Sequence, residues 1–463
     1  MNKLFTKVFI LIAFLLGFTV ILNAANNPDD DEKDKKDKTE KIKKGWNIGG
    51  LPVVSFDSDL GLQLGALVNL YHYGDGTRYP RYDHSIYVEG SWFLKGSGIF
   101  RFYYDSDKLI KGIRTSFDLS YLPDRAFKFF GFNGYEAVYN PSWEDDSDPN
   151  NYVSRVFYRT DRKFFRAKLD FQGNITSEKF RWLVGADFYN VQMSAVDLDL
   201  LNKDKGVGDS LPDTPGLFDL YNNWKIIPAN EKDGGSFTIF KLGLVYDSRD
   251  NEALPTKGIW TEAILVTAPK FTSTMDKGFM KFALTHRQYF TLVKDRLSFA
   301  YRLGVQVNVA GHTPYYAQGL MYYIGMKGAY NEGLGGGKTI RGIERNRIIG
   351  DGIAYGNFEL RWKFWKFQFI NQNFYMALSG FFDTGRAIQY IDFNLDDVDL
   401  SNVNYSNSES DFFDLGSESF HSGYGGGLHI AMNQNFIIAV DYGRALSEKD
   451  GKSGLYIGLN FLF

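Results

Sequence analysis

The chain has 463 residues, 52 Lys and Arg against 55 Asp and Glu, a formal net charge of −3 and no cysteine. The near balance of charge gives no electrostatic footprint for nucleic acid. The missing cysteine excludes disulfides, thiolate metal sites and a lipid-attachment cysteine together.

Residues 1–25 read as a secretory signal peptide. Lys3 and Lys7 make a basic start, Val8 to Leu22 an apolar centre and Asn23-Ala24-Ala25 a small-residue exit. Residues 26–44, "NNPDDDEKDKKDKTEKIKK", are nearly all charged with the signs mixed, so this stretch has no apolar surface to bury and reads as a flexible periplasmic tether.

From Gly45 the composition changes. Over the whole chain aromatics make up 17% of residues and Gly numbers 48 against 12 Pro, yet the mean hydropathy is slightly polar. After the leader no apolar run approaches the roughly 20 residues a membrane-spanning helix needs. A transmembrane β-barrel over 45–463 satisfies all three facts, because each strand shows an apolar face to lipid and a polar face to the lumen. "YGNFELRWKFWKF" has this period: Phe358, Leu360, Trp362 and Phe364 alternate with Asn357, Glu359, Arg361 and Lys363. A soluble sandwich alternates too, but does not usually bury Lys, Arg and Glu opposite its aromatics.

Read this way, the chain has strands near 46–56, 61–73, 82–93, 96–106, 112–121, 152–173, 178–195, 236–248, 257–268, 278–293, 295–309, 353–368, 373–386, 421–432, 435–446 and 453–463. That is an all-β, antiparallel barrel of about sixteen strands. In the last strand Leu455, Ile457, Leu459, Phe461 and Phe463 share the lipid face, and Phe461 and Phe463 read as a C-terminal barrel signal. The longest gaps, 122–151, 196–235, 310–352 and 387–420, are the fifth, seventh, eleventh and thirteenth connections. With a periplasmic N-terminus all four are extracellular, where such barrels carry their long loops.

The eleventh connection holds "GGGKTIRGIERNRIIGDG". Gly337-Lys338-Thr339 are the last letters of a phosphate loop, but Glu332 stands where its first glycine belongs and no helical stripe follows. The alternative is a long extracellular loop folded into the lumen. There Arg341 meets inward-facing Asp383 and Glu359, and Gly342 lets the backbone turn. A plain exposed loop, with Asp383 a solvated carboxylate, is the competing reading.

"TIRGIE" (Ile340, Arg341, Gly342 and Ile343, after Gly335, Gly336 and Gly337) resembles the signature loop of the BamA/TamA-type outer-membrane assembly superfamily, the bacterial surface antigen barrels. "FFDTG" (Phe381, Asp383, Gly385) is similar to the strand that receives it, and "YGNFELRWKF" to the strand after the loop, with Glu359 its acidic residue. "YDSRDNEALPTKG" resembles the family's periplasmic turn, with Asp247, Arg249, Asp250, Pro255 and Gly258. "FKFFGFNG" (Phe127 to Gly134) is a further similar segment. Two departures stand out: Ile343 replaces the usual aromatic, and only the tether precedes the barrel where the family carries periplasmic POTRA domains.

The resemblance implies an outer-membrane barrel of a Gram-negative bacterium. It implies insertion, assembly or translocation of client outer-membrane or surface proteins through a seam between first and last strands, with possible partner chains supplying periplasmic domains. The residues agree in part: Pro52, Gly45, Gly49 and Gly50 weaken the first strand, which reads equally as a frayed end. A passive channel or a structural subunit of a larger outer-membrane complex is the alternative. The six histidines sit in no motif that pairs them with a nucleophile or carboxylate. No enzyme activity, cofactor, metal or nucleic-acid partner is expected.

Overall fold

The computed structural model describes residues 42–57, 59–206, 208–324, 332–369, 372–401, 403, 405, 406, 408–433 and 435–463. The leader read over 1–25 and residues 26–41 of the tether lie outside the described residues. Sixteen strands form one antiparallel sheet in chain order. They are β1 (Trp46–Asp57), β2 (Gly61–His72), β3 (His84–Phe93), β4 (Gly98–Ile110), β5 (Ile113–Lys128), β6 (Arg159–Ser177), β7 (Phe180–Ser194) and β8 (Gly234–Asp247). They continue as β9 (Gly258–Ala268), β10 (Phe279–Val293), β11 (Leu297–Gly311), β12 (Gly352–Phe369), β13 (Gln372–Gln389), β14 (His421–Met432), β15 (Phe436–Ala445) and β16 (Ser453–Leu459). No helix among the described residues is long and apolar enough to cross a membrane.

The sheet curls into a barrel with its apolar face outward. Leu360, Trp362, Leu378, Phe382, Leu455 and Ile457 are exposed, while Asn357, Glu359, Arg361, Ser379 and Asp383 on the opposite face are buried. Polar groups buried this way need partners, and the partners come from neighbouring strands. Asp118 of β5 joins Arg101 of β4 (2.7 Å) and Arg166 of β6 (3.0 Å). Lys241 of β8 meets Asp170 and Asp187 at 2.5 and 2.6 Å, and Arg287 of β10 meets Glu262 of β9 at 2.6 Å.

The long connections, 129–158, 195–233, 312–351 and 390–420, emerge at one end of the barrel. The fifth and sixth strands differ from the sequence reading. Pro123 does not end β5, which runs on to Lys128 with a bulge between Asp124 and Phe127. β6 starts at Arg159, because Val153, Phe157 and Tyr158 spend their apolar side chains in a cap over the lumen instead of on the lipid face. That cap joins Phe129, Phe130 and Trp143 to Phe218 and Tyr221 of a helix, α1 (Leu217–Asn223), and to Phe412 and Phe413. Its rings meet edge to face, as Trp224 does Phe412 at 5.1 Å.

The last strand is shorter than the sequence reading. β16 stops at Leu459, and Asn460, with φ +65°, turns the chain inward. Phe461 and Phe463, read as lipid-facing, are buried inside the barrel. Phe461 stacks on His429 of β14 with ring centroids 4.1 Å apart. The Arg361 guanidinium lies 4.4 Å from the Phe461 ring centre and donates to the Phe463 carbonyl at 2.9 Å. Alternation fails at 460 because a ready-made aromatic and cationic pocket inside outcompetes the lipid face.

Among the described residues β1 pairs with β2 alone and β16 with β15 alone. Proline is tolerated in a ladder where its nitrogen points away from the partner strand. Pro52, opposite Ala66 of β2, therefore takes a donor from the other edge of β1. At the short-turn end a polar clasp spans the gap. Asn435 donates to the Tyr73 hydroxyl (2.7 Å) and the Pro80 carbonyl (2.8 Å), and the Tyr79 hydroxyl donates to the Asn433 carbonyl (3.1 Å).

At the long-loop end the β1–β2 turn is held by charge. Asp59 is buried and accepts from Lys205 at 2.8 Å and Arg155 at 3.2 Å. Burial alone raises the Asp59 carboxyl, but the Lys205 bond and the charges of Lys205, Arg155 and Arg159 outweigh it and hold the group below its ordinary range. A carboxyl lowered in the folded state stabilises above its unfolded value and loses that contribution as acid protonates it. Limited proteolysis of the 195–233 connection is expected to accelerate as pH falls from about 5 towards 2. Asp59→Asn removes that part of the pH dependence, and an unchanged profile in the variant refutes the assignment.

Candidate functional site

Two short glycine-bearing turns bring the eleventh connection back inside the barrel. Gly335 (φ +116°) has no room for a side chain, since a Cβ there would lie 2.0 Å from the Glu344 carbonyl oxygen. Thr339 closes the turn, accepting from the Gly335 N–H and donating to its carbonyl, both at 2.8 Å. Gly336 also adopts positive φ, and Gly337 packs against the Tyr456 ring of β16.

Ile340 and Ile343 anchor this hairpin in an apolar cluster with Leu334, Ile348, Ile353 and Tyr355. Ile343, which stands in place of an aromatic, is fully part of that packing.

Between the two isoleucines lies Arg341, with 0% of its surface exposed. Its Nε and terminal nitrogen grip Asp383 of β13 at 2.8 and 3.1 Å, and its backbone N–H adds a third bond to the same carboxylate at 3.1 Å. The other terminal nitrogen donates to Glu359 of β12 (2.8 Å) and Asp441 of β15 (3.1 Å). The Phe381 ring lies 3.5 Å under the guanidinium. Glu359 is shared with Arg361 at 2.8 Å, and Asp441 lies 3.3 Å from His429. One buried cation thus meets three carboxylates on three strands. Charge-assisted pairs in such a low-dielectric setting are strong when every member is satisfied.

The adjoining wall is shaped to receive the loop. Gly342 (φ +97°) donates to the Tyr456 hydroxyl at 3.0 Å. A Cβ on Gly423 of β14 would sit 2.1 Å from the Arg341 carbonyl oxygen, and one on Gly443 of β15 would sit 2.6 Å from the Gly342 nitrogen. The second half of the loop rests on the "FKFFGFNG" segment: Arg347 donates to the carbonyls of Gly134 (2.9 Å) and Ala137 (3.1 Å), and Arg345 lies over Phe127.

The turn after β8 is built by its own side chains. Asp247 accepts from Arg249 at 2.7 and 2.9 Å, and Asp250 accepts from Thr256 and Lys257. Gly258 (φ +110°) would press a Cβ against the Ser248 carbonyl, and Pro255 is buried beside Leu254. Leu254 reaches Phe461, Tyr375 and Ile437 on the opposite wall, so this turn crosses the short-turn mouth. Glu252 in the same turn is lifted by burial, but the charges of Arg114 and Arg249 hold it below the ordinary carboxylate range. The turn is remote from Arg341 in role and contact.

Sequence reasoning placed Arg341, Asp383 and Glu359 together but missed Asp441, Tyr456 and the two clearance glycines. Asp441 and Gly443 fall on the inward face of "AVDYGRA", where the same alternation points to them. No sequence signal marks Gly423 beyond the run "GYGGG".

Residues 103–463 match the model of the Omp85 superfamily domain. No curated protein matches the sequence. Among solved structures the chain is similar to CdiB from Escherichia coli, with 12% identity and a TM-score of 0.52 over 90% of this chain and 62% of that one. It is also similar to BamA from Haemophilus ducreyi lacking POTRA domains 1–3, at 13% identity and a TM-score of 0.47, covering 90% of this chain and 69% of that one. At these identities the likeness is one of fold.

Arg341→Ala leaves Asp383 buried without its cation and Glu359 with Arg361 alone, which is expected to cost about 3–5 kcal/mol. Unfolding of the detergent-solubilised barrel in denaturant, followed by heat-modifiable gel mobility, measures it, and wild-type stability in the variant contradicts the network's importance. Gly443→Ala, which adds only a methyl group, is expected to displace the loop and raise its protease sensitivity with the strands intact.

Proposed function

The chain belongs to the Omp85 superfamily and is an outer-membrane β-barrel, and from that premise we propose that it inserts, assembles or translocates client outer-membrane or surface proteins through the seam between β1 and β16. The observation that carries this reading is the free edge: β1 and β16 end the sheet with no ladder between them among the described residues. Unpaired edge groups are templates for an incoming strand. Closure there comes from the side-chain hydrogen bonds of the clasp at Asn433 and Asn435, each worth about 0.5–1.5 kcal/mol net, and from the packing of Leu51 with Phe436 and Ile438, contacts that part without breaking a backbone ladder. Arg341, Asp383, Glu359 and Gly342 serve as a lock that keeps the loop seated beside β16 and fixes the barrel's conformation. Further chains with periplasmic domains are the partners this reading calls for. Reading the barrel as a passive channel loses support, because the eleventh connection and the aromatic cap stand in the path an open pore requires.

The test uses proteoliposomes carrying the full chain and a urea-unfolded outer-membrane barrel as client, with protease protection as readout. Tyr79→Cys with Asn433→Cys, in a chain that has no other cysteine, allows a short cleavable bis-maleimide to bridge the clasp. Insertion is expected with the unbridged protein, to fall to the empty-liposome level when bridged, and to return on cleavage. Equal insertion with the bridge in place overturns the seam.

A further inference from the structure

At the long-loop end of β13 to β15 the outward side of the wall changes character. Alternation is unbroken there, so Arg386 follows Phe382 and Thr384 on the outward face of β13, and Arg444 stands between Tyr442 and Leu446 on that of β15. The residues beside them in sequence, Gly385, Ala387, Gly443 and Ala445, turn inward and are buried. In the ladder Arg444 lies across from Tyr424 of β14, and Tyr424 across from Phe382. Thr384 lies across from Ser422, with the two hydroxyls 2.8 Å apart. A polar patch two strand spacings wide, about 10 Å, thus runs from Arg386 past the hydroxyls to Arg444. Exposed Phe382, Tyr424 and Tyr442 border it towards the middle of the wall, and exposed Phe420 and Leu446 towards the loops.

Neither arginine pairs with a carboxylate among the described residues. Arg386 donates to the carbonyls of Ala387 (3.1 Å) and Glu418 (3.3 Å) and to the Tyr390 hydroxyl (3.3 Å), all neutral, and lies 5.5 Å from the Phe420 ring centre. The carboxylate of Glu418 is committed elsewhere, to the N–H groups of Ala387 and Tyr135 and to His421. The Arg444 side chain is exposed and makes no hydrogen bond or ion pair among the described residues. Luminal arginines differ: Arg287, Arg341 and Arg361 each hold a carboxylate. An arginine on the lipid face of a barrel is unfavourable to a degree that grows with its depth, and an anion that meets it offsets the cost. Tyrosines beside it mark the level of the headgroups.

We propose that Arg386 and Arg444 form a binding site for the phosphate of a lipid headgroup, held against the outside of the wall at its long-loop end. Guanidinium forks match phosphate oxygens two at a time, and the Thr384 and Ser422 hydroxyls between them add donors. A lipid is the fitting source of the phosphate because the patch is set in an apolar wall: Phe382, Tyr424 and Tyr442 offer acyl chains a surface directly beside the cations. The site rests on the outer-membrane placement of the barrel and is independent of whether the seam opens.

The experiment titrates the full chain, in a zwitterionic detergent, with bisphosphorylated lipid A and with the same lipid stripped of its phosphates, and reads the bound fraction by native mass spectrometry. Wild type is expected to bind the phosphorylated lipid about tenfold more tightly. The double variant Arg386→Gln with Arg444→Gln, checked for wild-type heat-modifiable mobility, is expected to bind both lipids alike. Lys163→Gln removes a cation from the outward face of β6 and is expected to keep the preference. Equal binding of the two lipids by wild type, or a preference that survives in the double variant, overturns the assignment. A loss as large in Lys163→Gln shows a response to overall charge and overturns it too. Inorganic phosphate in excess at matched ionic strength separates the two sources: displacement of the lipid from wild type makes dissolved phosphate the better occupant, and the proposal falls.

Discussion

A barrel wall that turns its apolar side chains outward must hide charge inside, and hidden charge has to be neutralised locally. Most strands do so pairwise, as β4 to β6 and β8 to β10 show. On β12, β13 and β15 the wall carries three carboxylates around one point, and wall residues alone leave them short of positive charge: Arg361, paired with Glu359, answers only part of it. The loop supplies the remainder. Arg341 is therefore as much a part of the wall as the strands are, and the seating of the eleventh connection follows from electrostatics before it follows from shape.

Shape then makes the seat selective. Gly342, Gly423 and Gly443 bring loop and wall backbones close enough that a single added methyl has nowhere to go, while Ile340 and Ile343 bury the flanks. Charge draws the loop in and close packing fixes its register. The other ends are closed by different chemistry: aromatic edges above, a self-bonded turn and the inward segment 460–463 below. Between β1 and β16, among the described residues, closure relies on scattered side-chain hydrogen bonds and the apolar packing around Leu51 in place of a ladder.

The strands were legible because alternation with charge on one face and aromatics on the other has few alternative explanations. The Arg341–Asp383–Glu359 contact was legible for the same reason: once Glu359 and Asp383 face inward, a cation is needed. Three things were not. The strand read over 112–121 runs on to Lys128: Pro123 keeps its regular place opposite Lys163, and the bulge after Asp124 leaves no local mark. Phe157 and Tyr158 alternate like a strand but belong to the cap, since period alone does not tell lipid from a neighbouring loop. Phe461 and Phe463 continue the outward pattern of β16 in sequence; the deciding partners, Arg361 and His429, are far away in the chain.

The inward segment has a consequence for the order in which the molecule is made. Tyr289, Ala300, Arg361 and His429, which receive residues 461–463, come from β10, β11, β12 and β14. These strands have to be side by side before the pocket exists, so the docked position of the segment depends on the wall that holds it. Its docking is a late event that reports on completed architecture. A chain misregistered anywhere between β10 and β14 would leave three large apolar side chains in the open, marking itself as unfinished.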